Sequence, residues 1–377
     1  MTYSQVKFIA LLLGAVSIAG CSTLAKKNDT GVVVARRAQI RSSTAVVAAD
    51  LLEVNRGEAV DILDSVDVPD PSDNTKKERW LRVRARNEQS TEGWIEARNV
   101  MLQEVLESAK KLAEADKGIP AQATGQLHAG SNLRLSPDRA GNENIIMRLD
   151  SGSTFEITGW KRVPRPKGAE APETDTAPKA GSAPVTRNKN ESDEEKQPEE
   201  INELWYKVRL PPSFSPAPAG WIYGKQVELS VPSDIIFYRT GREFVAWQRL
   251  DGDSSNTDTS GRSKDAARES RPGSWVILEK SSSDQPHTLD EPDFDRIYVL
   301  GYDKRDQDHY TSYRSPDLKG FLPCRVEGSG QNKTFTIRVQ DEGGQIKEVQ
   351  YSLYRDARGY LKVNASSVAP RDTKKKK

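Results

Sequence analysis

Side chains able to do bond-making chemistry are few and scattered, since 377 residues include only 2 cysteines and 3 histidines. A cysteine nucleophile needs a thiol activated at a helix start or beside a histidine. Leu322-Pro323-Cys324-Arg325 instead runs into a strand pattern, so Cys324 is expected to be a small core residue. His128, His287 and His309 stand far apart, with no second ligand at helical spacing to make a zinc site. Asp251, Asp253, Asn256 and Asp258 have the oxygen chemistry of a calcium loop but lack the glycine and terminal glutamate of an EF-hand. They read as an acidic linker. Neither a phosphate-binding glycine loop nor a dinucleotide fingerprint occurs. The inventory predicts a non-catalytic protein with no cofactor and no metal.

Cys21 has a different chemistry. It closes Ile18-Ala19-Gly20-Cys21 at the end of an apolar run, Phe8 to Ala19, that follows Lys7 and is too short to span a bilayer as a helix. The arrangement resembles the lipobox of bacterial lipoproteins, the alternative being an ordinary secretory signal cut nearby. It implies a signal peptide over residues 1–20, a lipidated tether over 21–30 and stable anchoring by several acyl chains on Cys21. The expected location is the cell envelope, as a membrane-anchored lipoprotein facing the periplasm or the cell exterior. With Cys21 acylated, Cys324 has no cysteine left to pair with. The 56 basic and 55 acidic residues leave almost no net charge, which argues against a nucleic-acid partner.

Around these groups the chain reads as all-β, diluted by polar segments, with only 35% apolar residues. Short strand patterns separated by Gly, Asp, Asn, Pro and Ser fill 31–103 and return over 124–230. Between them, within 104–123, Val105, Leu106, Ala109, Leu112 and Ala113 recur at helical spacing ahead of Lys117-Gly118 and Pro120, which predicts a short amphipathic helix and a linker. A disordered insertion is expected over 164–200, rich in Pro, Ala, Lys and Glu, with a smaller one at Val66 to Lys77. Residues 231–368 continue as short strands and read as a C-terminal β sandwich or barrel of no recognised family. Asp251 to Arg271 is expected to be a polar loop, and 369–377 a basic tail.

The two barrel segments repeat one another. Gln39-Ile40-Arg41, Asn55-Arg56-Gly57-Glu58, Trp80-Leu81-Arg82-Val83-Arg84 and Gly93-Trp94-Ile95 occur in the same order as Asn132-Leu133-Arg134, Asp150-Ser151-Gly152-Ser153, Trp205-Tyr206-Lys207-Val208-Arg209 and Gly220-Trp221-Ile222. This order resembles the bacterial SH3-like (SH3b) domain, closely in the second copy and more loosely in the first. The resemblance implies two small SH3-like barrels joined by the short helix.

Strand alternation puts Leu81, Val83, Tyr206, Val208, Ile95 and Ile222 inward, and Trp80, Trp94, Trp205 and Trp221 outward. Two roles fit these outward indoles: platforms for a peptide or a sugar face, or cover for the open ends of small barrels. Arg82, Arg84, Lys207 and Arg209 share that face, either to pair with ligand carboxylates or simply as solvated charges. In SH3b domains such a face serves cell-wall targeting, so the resemblance implies peptidoglycan or an envelope protein as ligand. The resulting expectation is a tether that joins this ligand to the membrane. The alternatives are an envelope assembly protein working through the C-terminal domain and a wall hydrolase with an unrecognised site in 231–368. If Trp205 is a platform, Trp205→Ala leaves the fold intact; if it is structural, the change unfolds the domain.

Overall fold

The computed structural model describes residues 29–70, 73–166, 201–239, 241–251, 272–282, 287–330 and 332–365. Cys21, the 167–200 part of the polar insertion and the basic tail lie outside them. The chain is mostly β and divides into two compact units, Met1–Gln103 and Glu104–Lys377.

The first unit is one curled antiparallel sheet. Its strands are β1 (Asp29–Val33), β2 (Arg37–Arg41), β3 (Asp50–Asn55), β4 (Ala59–Asp70), β5 (Asp73–Ala85), β6 (Glu92–Glu96) and β7 (Val100–Leu102). They are ordered β3-β2-β6-β5-β4-β1-β7. Period-two patterning closes the core: Ala38 and Ile40, Leu81 and Val83, and Ile95 point inward with Val33, Val54 and Val60, while their strand neighbours point out. The turn between β3 and β4 requires Gly57, whose φ of 90° is costly for a residue with a side chain. Beyond the barrel, β4 and β5 continue as a two-stranded arm with Val66 opposite Trp80 and Pro69 opposite Lys77. The segment expected to be a small insertion, Val66 to Lys77, is thus largely laddered, and the proline is tolerated because this part of β4 has no second neighbour.

The second unit opens with helix α1 (Gln103–Ala115), which buries Leu106 and Ala109. The second barrel follows: β8 (Ala123–Leu127), β9 (Ser131–Arg134), β10 (Ile145–Leu149), β11 (Thr154–Pro164), β12 (Asn202–Arg209), β13 (Ala219–Tyr223) and β14 (Val227–Leu229). Its order, β10-β9-β13-β12-β11-β8-β14, matches the first barrel strand for strand. Gly152, at φ 81°, makes the same turn as Gly57.

Two four-stranded antiparallel meanders complete the unit. One holds β15 (Arg242–Arg249), β16 (Trp275–Ser281), β17 (Arg296–Asp303) and β18 (Asp308–Arg314); the other holds β19 (Lys319–Ser329), β20 (Asn332–Gln340), β21 (Ile346–Arg355) and β22 (Leu361–Ala365). Their facing sides share one core built from Ala246, Val276, Ile297, Phe335, Ile337 and Leu353, which makes a β sandwich. In β16 every residue from Trp275 to Glu279 is buried, so the strand is covered on both faces.

The second barrel and the sandwich are joined at a break in the β19–β20 ladder between Phe321 and Arg325. Pro323 has no N–H to offer there, and side chains satisfy its neighbours. The Leu322 amide donates to Asp293 at 2.9 Å, and Arg338 donates to the Leu322 carbonyl. Gln122, fully buried just ahead of β8, accepts from the Cys324 amide at 2.7 Å and donates to the Cys324 carbonyl at 3.0 Å. Its backbone N–H donates to Ile157 in β11 at 2.7 Å and its carbonyl accepts from Trp247 in β15 at 2.8 Å. Gln122→Ala would leave the Cys324 N–H and C=O buried and unpaired, at about 1–3 kcal/mol for each group. The expected result is a urea midpoint lowered by a loss of about 2–6 kcal/mol, with the denaturant slope unchanged.

Candidate functional site

The outer faces of the two barrels carry the residues singled out from the repeat. Trp80 lies opposite Glu96 and Arg82 opposite Trp94 across β5 and β6; Trp205 lies opposite Tyr223 and Lys207 opposite Trp221 across β12 and β13. Each copy therefore brings its two indoles and its basic residues to one face.

Their exposure differs from the expectation. Trp80 is only 5% exposed and Trp205 only 1%, so neither is an open platform. Alternation decides which face a side chain occupies, but not what folds over that face. Over Trp80 lies the Arg41 guanidinium, 6.0 Å from the ring centroid and fastened to the β2–β3 loop through the carbonyls of Val46 at 2.7 Å and Ala48 at 3.2 Å. In the second barrel Arg134 fastens the equivalent loop through the Gly141 carbonyl at 2.6 Å and the Asn144 side-chain oxygen at 2.7 Å. Trp205 is covered by Tyr223, with ring centroids 5.6 Å apart, and Arg139 lies over Tyr223 while pairing with Glu203 at 2.6 Å. Trp94 and Trp221 are half-buried.

The basic residues expected to meet ligand carboxylates already have internal ones. Arg82 and Arg84 converge on Glu92 at 3.2 and 2.6 Å, and the Arg84 hydrogen bond is the main cause holding the Glu92 carboxyl below its ordinary pKa. Lys207 pairs with Asp116 at 2.7 Å and reaches within 6.0 Å of the Trp221 ring. Arg209 donates to the carbonyls of Asp116 and Ile119 just past the end of α1 and pairs with Glu156 at 3.1 Å. Lys207 and Arg209 thus clamp the C-terminal end of α1 to the barrel, where cations are favoured by the helix dipole.

The two buried indoles nevertheless belong to one recurring feature. Trp80 lines a cavity of about 280 Å³ with Arg37, Gln39, Arg41, Glu96 and Asn99. Trp205 lines one of about 80 Å³ with Ser131, Asn132, Arg134, Tyr223 and Gln226 among its other walls. In the repeat, Gln39 corresponds to Asn132, Arg41 to Arg134, Glu96 to Tyr223 and Asn99 to Gln226. The groove is therefore duplicated along with the fold. The amides of this rim fall outside the repeat's aromatic and basic pattern; the shared amide one residue before the repeated Ile/Leu-Arg pair is the signal that marks it.

Elsewhere the reactive groups are engaged structurally. Cys324 is 1% exposed in the sandwich core, and burial pushes its thiol up to about 12. His128 contacts the Lys225 carbonyl at 2.7 Å, His287 contacts Glu291 at 2.7 Å and His309 contacts the Gly273 carbonyl at 2.7 Å, all at separate places. Among the described residues no group of three or more His, Cys, Asp and Glu is arranged to hold a metal ion.

Fold and grooves define an all-β protein with a duplicated curled barrel and a duplicated surface groove. No family model matches the chain and no curated protein does. Among solved structures it is similar to NlpC2 from Trichomonas vaginalis, at 11% identity over 90% of this chain and 96% of that one, with a TM-score of 0.15. It is similar also to NlpC1 from Trichomonas vaginalis, at 10% identity over 92% and 96%, again with a TM-score of 0.15. Superposition at that level assigns no function.

Because the Trp205 indole is enclosed, Trp205→Ala is expected to destabilise the protein by about 3–5 kcal/mol through the cavity it leaves. Trp205→Phe, which keeps part of the filling, should cost clearly less. Thermal unfolding of both variants checks the order.

Proposed function

We propose that this protein is a non-catalytic lipoprotein of the cell envelope whose paired barrels, resembling SH3b domains, bind peptidoglycan or a peptide segment of an envelope protein. The observation that supports this reading is the recurrence of one groove at equivalent positions of both barrels, each with a tryptophan in its floor and an amide and an arginine on its rim. The enclosed tryptophans and the loop-fastening arginines give each groove a fixed shape, and the Gln39 and Asn132 amides on the rims can meet the carbonyl and N–H groups of a peptide.

Each groove is small, so each contact is weak. Joining two on one chain makes the second encounter intramolecular, which raises the overall affinity without any new contact. Acylation of Cys21 adds a membrane attachment, and the protein then acts by holding its ligand close to the bilayer.

The test is co-sedimentation with purified peptidoglycan sacculi across a salt series, using the chain from Ser22 onward. The variant is the double change Gln39→Trp and Asn132→Trp, which fills both grooves from their rims and leaves the buried indoles in place. Retention of the wild type at physiological salt, weakened about tenfold in the variant, corresponds to about 1.4 kcal/mol of lost binding and supports the reading. Full recovery of the wild type in the supernatant rules out wall binding by the barrels. Separately, Cys21→Ser in the full chain is expected to abolish incorporation of labelled palmitate and to release the protein from the membrane fraction.

A further inference from the structure

A third cavity, of about 240 Å³, lies where the outer end of the β11–β12 pair meets the sandwich. It is smaller than the roughly 300–1,000 Å³ of sites for drug-sized ligands and suits a residue or two of a peptide. Trp160 and Tyr206 form one wall, edge to face at 6.0 Å, and Phe244 lies beside them. The Trp160 indole is fixed, because its N–H donates to Asp293 at 2.5 Å and Asp293 in turn accepts the Leu322 amide at 2.9 Å. This wall is held by the same ladder break that joins barrel to sandwich. It needs no rearrangement to receive an apolar group.

The polar side of the cavity contains two cations, Arg162 and Lys280. The Lys280 ammonium is 16% exposed and uses two of its three hydrogens, on Glu291 at 2.5 Å and on the Pro292 carbonyl at 2.8 Å. One hydrogen remains. The Arg162 guanidinium lines the cavity, and its charge acts on the Glu291 and Asp293 carboxylates without a hydrogen bond to either among the described residues. Burial lowers the Lys280 pKa and the positive charge of Arg162 lowers it further, while the Glu291 and Asp293 carboxylates act in the opposite direction. Glu291 and Asp293 already act on both cations, and of the two cations only Arg162 has no bonded partner among the described residues, so its guanidinium is where an incoming carboxylate would close. Glu243, exposed on the rim, has no ion pair among the described residues and opposes a ligand with more than a single negative charge.

We propose that this cavity binds the C-terminal end of a peptide, with Arg162 and the spare hydrogen of Lys280 receiving the carboxylate and the Trp160–Tyr206 wall receiving the apolar side chain. Arginine suits the role because its planar fork matches both carboxylate oxygens. The site is separate from the two barrel grooves, so the sacculus experiment and this one fail independently.

The test uses the chain from Ser22 onward and follows tryptophan fluorescence during titration with acetyl-Ala-Leu, with its C-terminal amide and with free leucine. The expected result is saturable binding of acetyl-Ala-Leu and affinity at least about tenfold lower for the amide, as loss of a charge-assisted pair implies. Arg162→Gln should weaken the acid about tenfold without affecting the amide, and Arg162→Lys should restore part of the loss. Glu243→Gln should strengthen binding of the acid. Equal binding of acid and amide, or no binding of the acid, overturns the proposal. Tighter binding of free leucine than of acetyl-Ala-Leu overturns the assignment to a peptide terminus, because the added ammonium would then be the group recognised beside Glu243.

Discussion

Everything in the larger unit depends on how a three-residue interruption in one ladder is satisfied. At Leu322-Pro323-Cys324 the β19 backbone leaves its partner strand, and buried N–H and C=O groups without partners are among the costliest defects a core can contain. Asp293, Arg338 and Gln122 supply the missing bonds from three different parts of the chain. Gln122 goes furthest, since its backbone also links β11 to β15 and its side chain grips Cys324 from both ends. A local irregularity in the sandwich thereby helps to fasten a separate barrel to it, beside the Asn202 and Gln248 hydrogen bonds.

The same arrangement separates what sequence could disclose from what it could not. The duplicated barrel was legible because Gly57 and Gly152 make the same turn, and because Ile40 and Leu133, Val83 and Val208, and Ile95 and Ile222 are buried at matching places in the repeat. The sandwich was legible as a class from its run of short strands with polar turns. Gln122 and Cys324 lie 202 residues apart, and nothing local to either indicates that they meet. Nor does any local pattern show that β11 and β12 extend beyond the barrel to wall a cavity with β15 and β16.

The indoles are the instructive case. Alternation assigned Trp80, Trp94, Trp205 and Trp221 to the outer face correctly, because period two is a property of the strand itself. Exposure depends on the neighbours, and here the arginine of the repeated motif turns its guanidinium to the adjoining loop and holds that loop beside the ring. Lys207 and Arg209 follow the same logic. Their partners, Asp116 and the carbonyls past α1, come from a helix outside the repeated motif, so the barrel pattern alone could not reveal them.

One difference between the matched grooves sets their chemistry apart. Where the first has Glu96 opposite its indole, the second has the phenol of Tyr223, and Arg37 lines only the first groove while Arg139 and Asn142 line only the second. The Glu96 carboxylate is bonded to Arg98 at 2.6 Å, whereas the Tyr223 ring lies under the Arg139 guanidinium, so a carboxylate–arginine pair borders one groove and an arginine-covered phenol the other. Two copies of one fold thus present unlike chemical filters on a single chain.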